Sequence, residues 1–192
     1  QTVDACTFDD LGDDLTAAQN ALNANFDQWL ADQTTAVGEG GGCSPQISDD
    51  FDGNYIDFCS GGAITITWTV TDICEEITTS ATYTVNAVPA LTLSAPADAT
   101  HDACEFDDVD LTTAQANLDD AIEAWVNTNQ AAFAAGGGCS PTVTNDFVAQ
   151  SIDYCTGGTI TITWTIEDLC ETQTVTARSE ERFSRNAETA HE

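Results

Sequence analysis

Eight cysteines are the residues of this chain whose type and spacing point most directly to chemistry. They form two sets of four, and the sequence around each set is nearly the same. The matched positions are Cys6 and Cys104, Cys43 and Cys139, Cys59 and Cys155, and Cys74 and Cys170. An even count at repeated spacing, in two repeats of roughly 90 residues, favours disulfides formed in an oxidising compartment. A zinc site is disfavoured, because no CxxC pair occurs and histidine is nearly absent.

The strand pattern between the last two cysteines of a repeat limits how disulfides within that repeat can connect. Residues 62–72 alternate as a β-strand and would span about 36 Å at roughly 3.3 Å per residue. A disulfide needs Cα atoms within about 7 Å, so Cys59 and Cys74 are too far apart to bond to each other. Two connectivities remain, and we favour the one in which the first strand ends near the third cysteine. It predicts the bonds Cys6–Cys59, Cys43–Cys74, Cys104–Cys155 and Cys139–Cys170.

Acidic residues form the second group able to do chemistry, and one segment has the composition of a calcium loop. This segment, "SDDFDGNYID", carries Gly53 for its turn, and its oxygen ligands would be Asp50, Asp52, Asn54 and Asp57. The second repeat keeps only Asp146 and Asp153 of this set, and the final Glu of an EF-hand is missing. A required ion would leave ligands in both repeats, so a solvated acidic turn is favoured. Calcium is the one cofactor that the sequence would admit.

Carboxylates also cluster beside the last cysteine of each repeat, where a glycoside hydrolase could use a pair as acid and base. These residues are Asp72, Glu75, Glu76, Asp168 and Glu171. They fall in a predicted hairpin turn with no cleft around them. The chain has no Lys, and its histidines are His101 and His191, which disfavours Schiff-base chemistry and Ser–His or Cys–His catalysis. We therefore expect no enzyme.

The charge distribution excludes several kinds of partner. The formal net charge is -30, and the basic residues are Arg178, Arg182 and Arg185 alone. The preceding acidic body would repel nucleic acids and anionic membrane surfaces. No segment reaches the roughly 20 apolar residues of a membrane span. A saline, extracellular or cell-surface location is expected, where salt screens the self-repulsion.

Each repeat is predicted to begin with a helix and continue with strands. Apolar residues recur at helical spacing in both repeats: Leu15, Leu22, Phe26, Trp29 and Leu30, then Leu111, Leu118, Ile122, Trp125 and Val126. Thr16 with Gln19, and Thr112 with Gln115, have the spacing of a capping box. "ITITWTV" and "ITITWTI" alternate as strands with isoleucine and tryptophan facing the core. "ATYTV" would pair with the first of these, and "LTLSAP" at 91–96 would open the second repeat.

The segments "GGGCSP", "CSGGAITITWTVTDICE" and "LTLSAPADATHDAC" resemble the HYR-like, immunoglobulin-like repeats found in tandem in very large secreted surface proteins of the Bacteroidetes. The resemblance covers residues 1–177. It implies an extracellular stalk, fibre or adhesin role with no chemistry in the module itself. The cysteine pair that family members often carry in the first and last strands is absent here. Together with the strand pattern, this predicts a mainly β fold: two tandem Ig-like β-sandwich domains, each with an inserted α-helix and two disulfides.

The domains are predicted at residues 1–88, lacking a first strand, and 89–177, followed by a charged tail at 178–192. A missing edge strand at one end and arginines at the other motivate head-to-tail polymerisation by strand exchange, with the arginines docking on the acidic body of another copy.

The expected function is a structural repeat of a fibre or stalk. The alternative is an adhesin module that binds a glycan or another surface ligand, with or without the help of calcium. A secreted hydrolase is the third class. Four tryptophans could stack on sugars, but all fall on the predicted inner face: Trp29, Trp68, Trp125 and Trp164.

Overall fold

The computed structural model describes residues 1–9, 14–38, 43–133, 136–148 and 150–182. They form two compact units that do not follow the repeat boundary completely. Unit 1 comprises Gln1–Ala90 together with Gly138–Ser140 and Asp168–Cys170 from the second repeat. Unit 2 comprises Leu91–Gly137, Pro141–Glu167 and the chain from Glu171 onward. The second repeat therefore lends two cysteine-bearing segments to the unit built from the first.

Unit 1 contains one long helix and one four-stranded sheet. Its elements are β1 (Thr2–Asp4), a 3₁₀-helix (Ala5–Phe8), α1 (Leu15–Gly38), β2 (Gln46–Asp49), β3 (Gly62–Thr71) and β4 (Glu76–Asn86). The strand order is β1-β4-β3-β2. Strand β1 runs parallel to β4, whereas the other neighbours are antiparallel.

Unit 2 repeats this arrangement. Its elements are β5 (Ala99–Asp102), a 3₁₀-helix (Ala103–Phe106), α2 (Leu111–Phe133), β6 (Thr142–Asn145), β7 (Gly158–Glu167) and β8 (Thr172–Arg182). The strand order β5-β8-β7-β6 matches that of unit 1, with the same parallel edge pair. The duplicated sequence thus folds into duplicated topology.

The residue before each helix is an aspartate, and it caps the helix in place of the predicted capping box. The Asp14 Oδ1 atom accepts hydrogen bonds from the backbone N–H groups of Thr16, at 2.9 Å, and Ala17, at 3.2 Å. In unit 2 the Asp110 Oδ1 atom accepts from the Thr113 N–H at 3.0 Å. A carboxylate in this position satisfies amides that the first helical turn leaves free, so the T-x-x-Q assignment is wrong.

The core of each unit lies between its helix and one face of its sheet. In unit 1 it includes Leu22, Phe26, Trp29, Ile66 and Trp68. In unit 2 it includes Leu118, Ile122, Val126, Ile162 and Trp164. The inward faces predicted for the two "ITIT" strands are confirmed, and three of the four tryptophans are buried, with Trp125 half-buried. Leu15 and Leu111 are exposed, because each is the first residue of its helix.

The predicted pair of facing sheets in each domain is wrong for the described residues, since each unit has one sheet covered by its helix. The apolar face of a helix of more than 20 residues covers the inward face of the sheet and takes the place of a second sheet. The fold is accordingly mixed helix and sheet rather than mainly β.

Both ends of the second repeat also differ from the prediction. Residues 91–96 form no strand, and β5 is the counterpart of β1, so the first repeat does not lack a strand that the second has. The charged residues 178–182 complete β8 instead of beginning a tail. The structural premise for strand exchange is therefore absent.

Candidate assembly site: cysteine pairs at the two ends of each sheet

All eight cysteines lie in the described part of the chain, and four of them form two disulfides. Cys6 bonds to Cys139, with Cα atoms 5.0 Å apart, and Cys59 bonds to Cys170, with Cα atoms 5.5 Å apart. Both bonds lie within unit 1, and each joins a cysteine of the first repeat to one of the second.

The remaining thiols are free and exposed: Cys43, Cys74, Cys104 and Cys155. The predicted bonds Cys6–Cys59, Cys43–Cys74, Cys104–Cys155 and Cys139–Cys170 are therefore wrong. So is the prediction of two disulfides in each domain. The physical reason is that the partners of the bonded cysteines lie in the other repeat, more than 100 residues away in sequence.

The four cysteines of a repeat are divided between the two ends of its sheet. We call the end where β3 begins the A end. Two cysteines lie at this end: Cys6, which follows β1, and Cys59, which precedes β3. Strand β1 ends here because its last residue, Asp4, pairs with Asn86, the last residue of β4. We call the other end the B end, where Cys43 precedes β2 and Cys74 lies between β3 and β4. The ten residues of β3 separate the ends by about 33 Å.

In the second repeat the A-end pair is Cys104 and Cys155, and the B-end pair is Cys139 and Cys170. The observed rule is that the A-end pair of the first repeat bonds to the B-end pair of the second. The strand length alone places Cys59 and Cys74 at opposite ends and leaves two pairings open. Sequence reasoning missed that each pair bonds to a pair from the other repeat.

One aspartate organises each B-end pair. The Asp72 Oδ1 atom accepts from the N–H groups of Cys74, at 2.7 Å, and Glu75, at 3.1 Å, and its Oδ2 atom accepts from that of Cys43 at 3.4 Å. These donors hold the pKa of the Asp72 carboxyl below its usual value, with the Cys74 amide contributing most. In the second repeat Asp168 accepts from the N–H groups of Cys170, at 2.9 Å, and Cys139, at 3.3 Å.

Two aspartates organise each A-end pair in the same way. The Asp4 Oδ1 atom accepts from the N–H of Cys6, and the Asp102 Oδ1 atom accepts from that of Cys104, each at 3.0 Å. Both cysteines lie in a 3₁₀-helix that begins after the aspartate. The Asp57 Oδ1 atom accepts from the Ser60 N–H at 2.8 Å and thereby fixes the turn after Cys59.

Asp153 fixes the turn after Cys155, as Asp57 fixes the turn after Cys59. It accepts hydrogen bonds from the Cys155 N–H at 3.0 Å and the Thr156 N–H at 2.7 Å. Hydrogen bonds of this kind lower the pKa of both Asp57, chiefly through Ser60, and Asp153, chiefly through Thr156.

The four calcium candidates do not converge on one point. Asp50 accepts from the Thr67 N–H at 2.8 Å, as Asp146 does from that of Thr163 at 2.8 Å. Asp52 accepts from the backbone N–H and side-chain amide of Asn54, at 3.0 and 2.8 Å, which lowers its pKa. Asp57 fixes the turn after Cys59. Among the described residues no group of three or more Cys, His, Asp or Glu is placed to hold a metal ion.

One apolar residue accompanies each B-end pair, and its surroundings differ between the repeats. Leu169, between Asp168 and Cys170, packs against the hydrophobic core of unit 1. Its counterpart Ile73, between Asp72 and Cys74, is 90 % exposed. The sequence signal for this position is an apolar residue at the tip of an acidic turn.

Two of the three predicted assembly arginines lie in the last described strand. Arg178 and Arg182 are exposed residues of β8, and the guanidinium of Arg182 donates to the Glu180 carboxylate at 3.0 and 2.7 Å. Arg185 lies outside the described residues. None of the described helices is both long enough and apolar enough to cross a membrane.

Comparison with known proteins gives no family assignment. No family model matches the chain, and no curated protein matches it. Among solved structures it is similar to Drosophila N-cadherin EC1-4, with 8% identity and a TM-score of 0.30 over 72% of this chain and 41% of that one. It is also similar to an endo-fucoidan hydrolase of glycoside hydrolase family 107, with 11% identity and a TM-score of 0.22 over 76% and 24%. The chain spans less than half of either structure, and likenesses at these TM-scores carry no argument about function.

Proposed function

We propose that this chain is a structural element of an extracellular or cell-surface fibre or stalk, built from repeats that join head to tail. One observation carries the proposal: two cysteines of each repeat bond to the other repeat, and none bonds within its own repeat. A repeat whose covalent bonds are directed at its neighbour is suited to transmitting tension along a chain of repeats.

The size of the two closed loops supports a stabilising role for these bonds. The bonded cysteines are 133 and 111 residues apart in sequence. In the loop-entropy account, a disulfide that closes about 100 residues disfavours the unfolded chain by about 4–5 kcal/mol. Bonds of this kind persist in an oxidising compartment, which supports an extracellular location.

The remaining features agree with a scaffold that carries no chemistry of its own. The acidic body disfavours nucleic acid and anionic membranes as partners. Two of the carboxylates that could serve a hydrolase, Asp72 and Asp168, accept hydrogen bonds from turn amides, and we propose no enzymatic activity. The resemblance to HYR-like, Ig-like surface repeats is consistent with this role. Strand exchange is not part of the proposal, because the described residues of both units form the same four strands.

Electron microscopy of the secreted, oxidised protein at about 0.15 M salt would test this function. We expect extended particles or fibres longer than one chain. Compact particles of one chain, unchanged across protein concentrations and salt, would contradict the fibre role.

The alternative function, a module that binds a glycan or another surface ligand, rests on one groove in unit 1. The groove has a volume of about 340 Å³, and its apolar lining comes from Val37, Val70 and Ile77, beside threonine hydroxyls. A glycan array and a calcium titration on single chains would test it. A saturable signal that the groove variant Ile77→Asp abolishes would favour this function over the scaffold.

A further inference from the structure

We propose that the free cysteines extend the observed rule to a second copy of this chain, so that Cys104 bonds to Cys43 of that copy and Cys155 bonds to its Cys74. The inference rests on the proposed function, because it supplies the joint between successive copies. The bonds would be the counterparts of Cys6–Cys139 and Cys59–Cys170.

The free A-end pair already has the conformation of the bonded one. Cys104 lies in a 3₁₀-helix capped by Asp102, as Cys6 lies in one capped by Asp4, and the capping distance is 3.0 Å in both. Beside Cys155, the Gly157 N–H donates to the Asp153 carbonyl at 2.8 Å, and the same turn after Cys59 measures 3.0 Å. A partner would therefore meet a prearranged surface, and little ordering entropy would oppose bonding.

The free B-end pair is prearranged as well. The carboxylate of Asp72 holds the amides of Cys74 and Cys43 at 2.7 and 3.4 Å, whereas that of Asp168 holds the bonded pair at 2.9 and 3.3 Å. The exposed thiols of Cys43 and Cys74 are not bonded to each other. The pair is thus presented outward in the conformation that its bonded counterpart uses.

Ile73 is a second observation that points to a partner and involves no sulfur. Its side chain is 90 % exposed, and the matching Leu169 is packed against the core of unit 1. Docking Ile73 on the A end of another copy would remove this apolar side chain from water, which favours association. Ile73 would then pack against the other copy as Leu169 packs against the core of unit 1.

The chemistry is thiol–disulfide exchange with a low-molecular-weight disulfide. Two thiols and one small disulfide give one protein disulfide and two small thiols, so each bond transfers two electrons and two protons to the oxidant. The attacking species is a thiolate, and the nearby carboxylate of Asp102 raises the pKa of the Cys104 thiol. Bond formation should therefore accelerate as the pH rises, and added salt should also speed it by screening the repulsion between acidic copies.

Two complementary variants of the full chain test the pairing. The first carries Cys43→Ser and Cys74→Ser and keeps a free A-end pair. The second carries Cys104→Ser and Cys155→Ser and keeps a free B-end pair. In a buffer containing a small thiol and its disulfide, wild type should give a ladder of multiples of 20.3 kDa on non-reducing gels. Each variant alone should stay monomeric, and their equimolar mixture should give one dimer band that dithiothreitol removes.

Peptide mapping of that dimer should find Cys104 linked to Cys43 and Cys155 linked to Cys74. Cys6–Cys139 and Cys59–Cys170 should be intact in every sample, which shows that the variants fold. Ile73→Ser should slow dimer formation at least several-fold, whereas Val148→Ser, at another exposed apolar residue, should not. Bonds Cys43–Cys74 or Cys104–Cys155 within one chain, a dimer from either variant alone, or thiols that stay free would overturn the proposal.

The two proposals can fail separately. Fibres that form unchanged when all four free cysteines are serine would overturn the disulfide joint and leave the fibre role intact. A correct peptide map on compact dimers that never extend would support the joint and contradict the fibre role.

Discussion

The last strands of the two units pair in the same register but place different residues in the core. In β4, Tyr83 and Val85 point into unit 1 and are 0% and 3% exposed. The matching positions of β8 hold Ser179 and Glu181, which are 0% and 5% exposed. The sheet ladder and the neighbouring strand therefore suffice to set the position of β8, even where its side chains are unsuited to burial.

The difference has an electrostatic consequence. The Tyr83 hydroxyl donates to the Asn25 Oδ1 atom at 2.6 Å, whereas the Ser179 hydroxyl and both Glu181 carboxylate oxygens are buried with no hydrogen-bond partner among the described residues. Burial raises the pKa of Glu181, and the charges of Asp153 and Asp102 raise it further. Unit 2 thus carries a penalty that unit 1 lacks at the same position, and we expect it to be the less stable of the two.

The largest expected effect comes from giving unit 1 the same defect. Val85→Glu would bury a carboxylate without a partner and should lower the free energy of unfolding of unit 1 by about 3–5 kcal/mol. Hydrogen exchange of the β3 and β4 amides, compared with those of β7 and β8, would measure this separately for each unit. The control is Asn86→Glu at the adjacent exposed residue, expected to change stability by no more than about 0.5 kcal/mol. Equal effects of the two substitutions would remove burial as the cause.

The reverse change should repair unit 2. Glu181→Val restores the apolar residue of the first repeat and should stabilise β7 and β8 by about 2–3 kcal/mol. Glu167→Val, which removes a charge at an exposed end of β7, is the matched control and should have little effect. If both variants stabilise equally, relief of net negative charge and not burial is responsible.

The pH dependence of the Glu181→Val effect separates ionisation from packing. The folded-state pKa of Glu181 lies above the ordinary value of 4.5, so the folded chain binds this proton more tightly than the unfolded chain does. The stability that the wild type owes to this bound proton is fully present below the pKa that Glu181 has in the unfolded chain. It is lost as the pH rises through the pKa that Glu181 has in the folded chain. The advantage of Glu181→Val over wild type should therefore grow with pH from about 4.5 upward. A constant difference would mean that Glu181 is not titrating in this range.

The sequence predicted most of what the repeats share and little of how they are joined. Alternation placed Ile66, Trp68 and their counterparts in the core, and the helical spacing placed both helices. The sequence pattern could not reveal that the helix replaces a second sheet. An apolar face on a helix or a strand indicates only that another layer must cover it. Nor could cysteine spacing reveal bonds between repeats, since connectivity depends on which sheet ends meet in space.

A loss of stability of intermediate size is expected to be equal in the two units. In each unit a glutamine holds the loop before a central strand, β3 in unit 1 and β7 in unit 2. The Gln19 side-chain amide donates to the Ile56 carbonyl at 2.9 Å and its oxygen accepts from the Phe58 N–H at 2.8 Å. Gln115 makes the same two contacts in unit 2, at 2.8 and 2.9 Å. Gln19→Ala and Gln115→Ala should each cost about 1–3 kcal/mol, because both leave backbone groups unpaired.

Hydrogen exchange in the affected unit would measure that cost, and Asn20→Ala on the exposed face of α1 is the control. A much smaller cost for Gln115→Ala would indicate that unit 2 has already lost the packing that this loop supports.

The smallest effect concerns the indole N–H groups of the two central tryptophans. The Trp68 Nε1 atom donates to the Thr34 Oγ1 atom at 2.8 Å, whereas the Trp164 Nε1 atom is buried without a partner among the described residues. The position of Thr34 is taken in the second repeat by Gln130, whose amide donates instead to the Val143 carbonyl at 3.1 Å. Thr34→Val should therefore leave Trp68 in the state that Trp164 already tolerates.

We expect a cost of about 1 kcal/mol from Thr34→Val, at the low end for a buried donor left unpaired. Thr35→Val, one residue further along the exposed side of α1, should cost less. Exchange of the β3 amides would measure both. A cost above about 3 kcal/mol would show that unit 1 depends on this contact in a way that unit 2 does not, since unit 2 forms the same sheet with its indole unpaired.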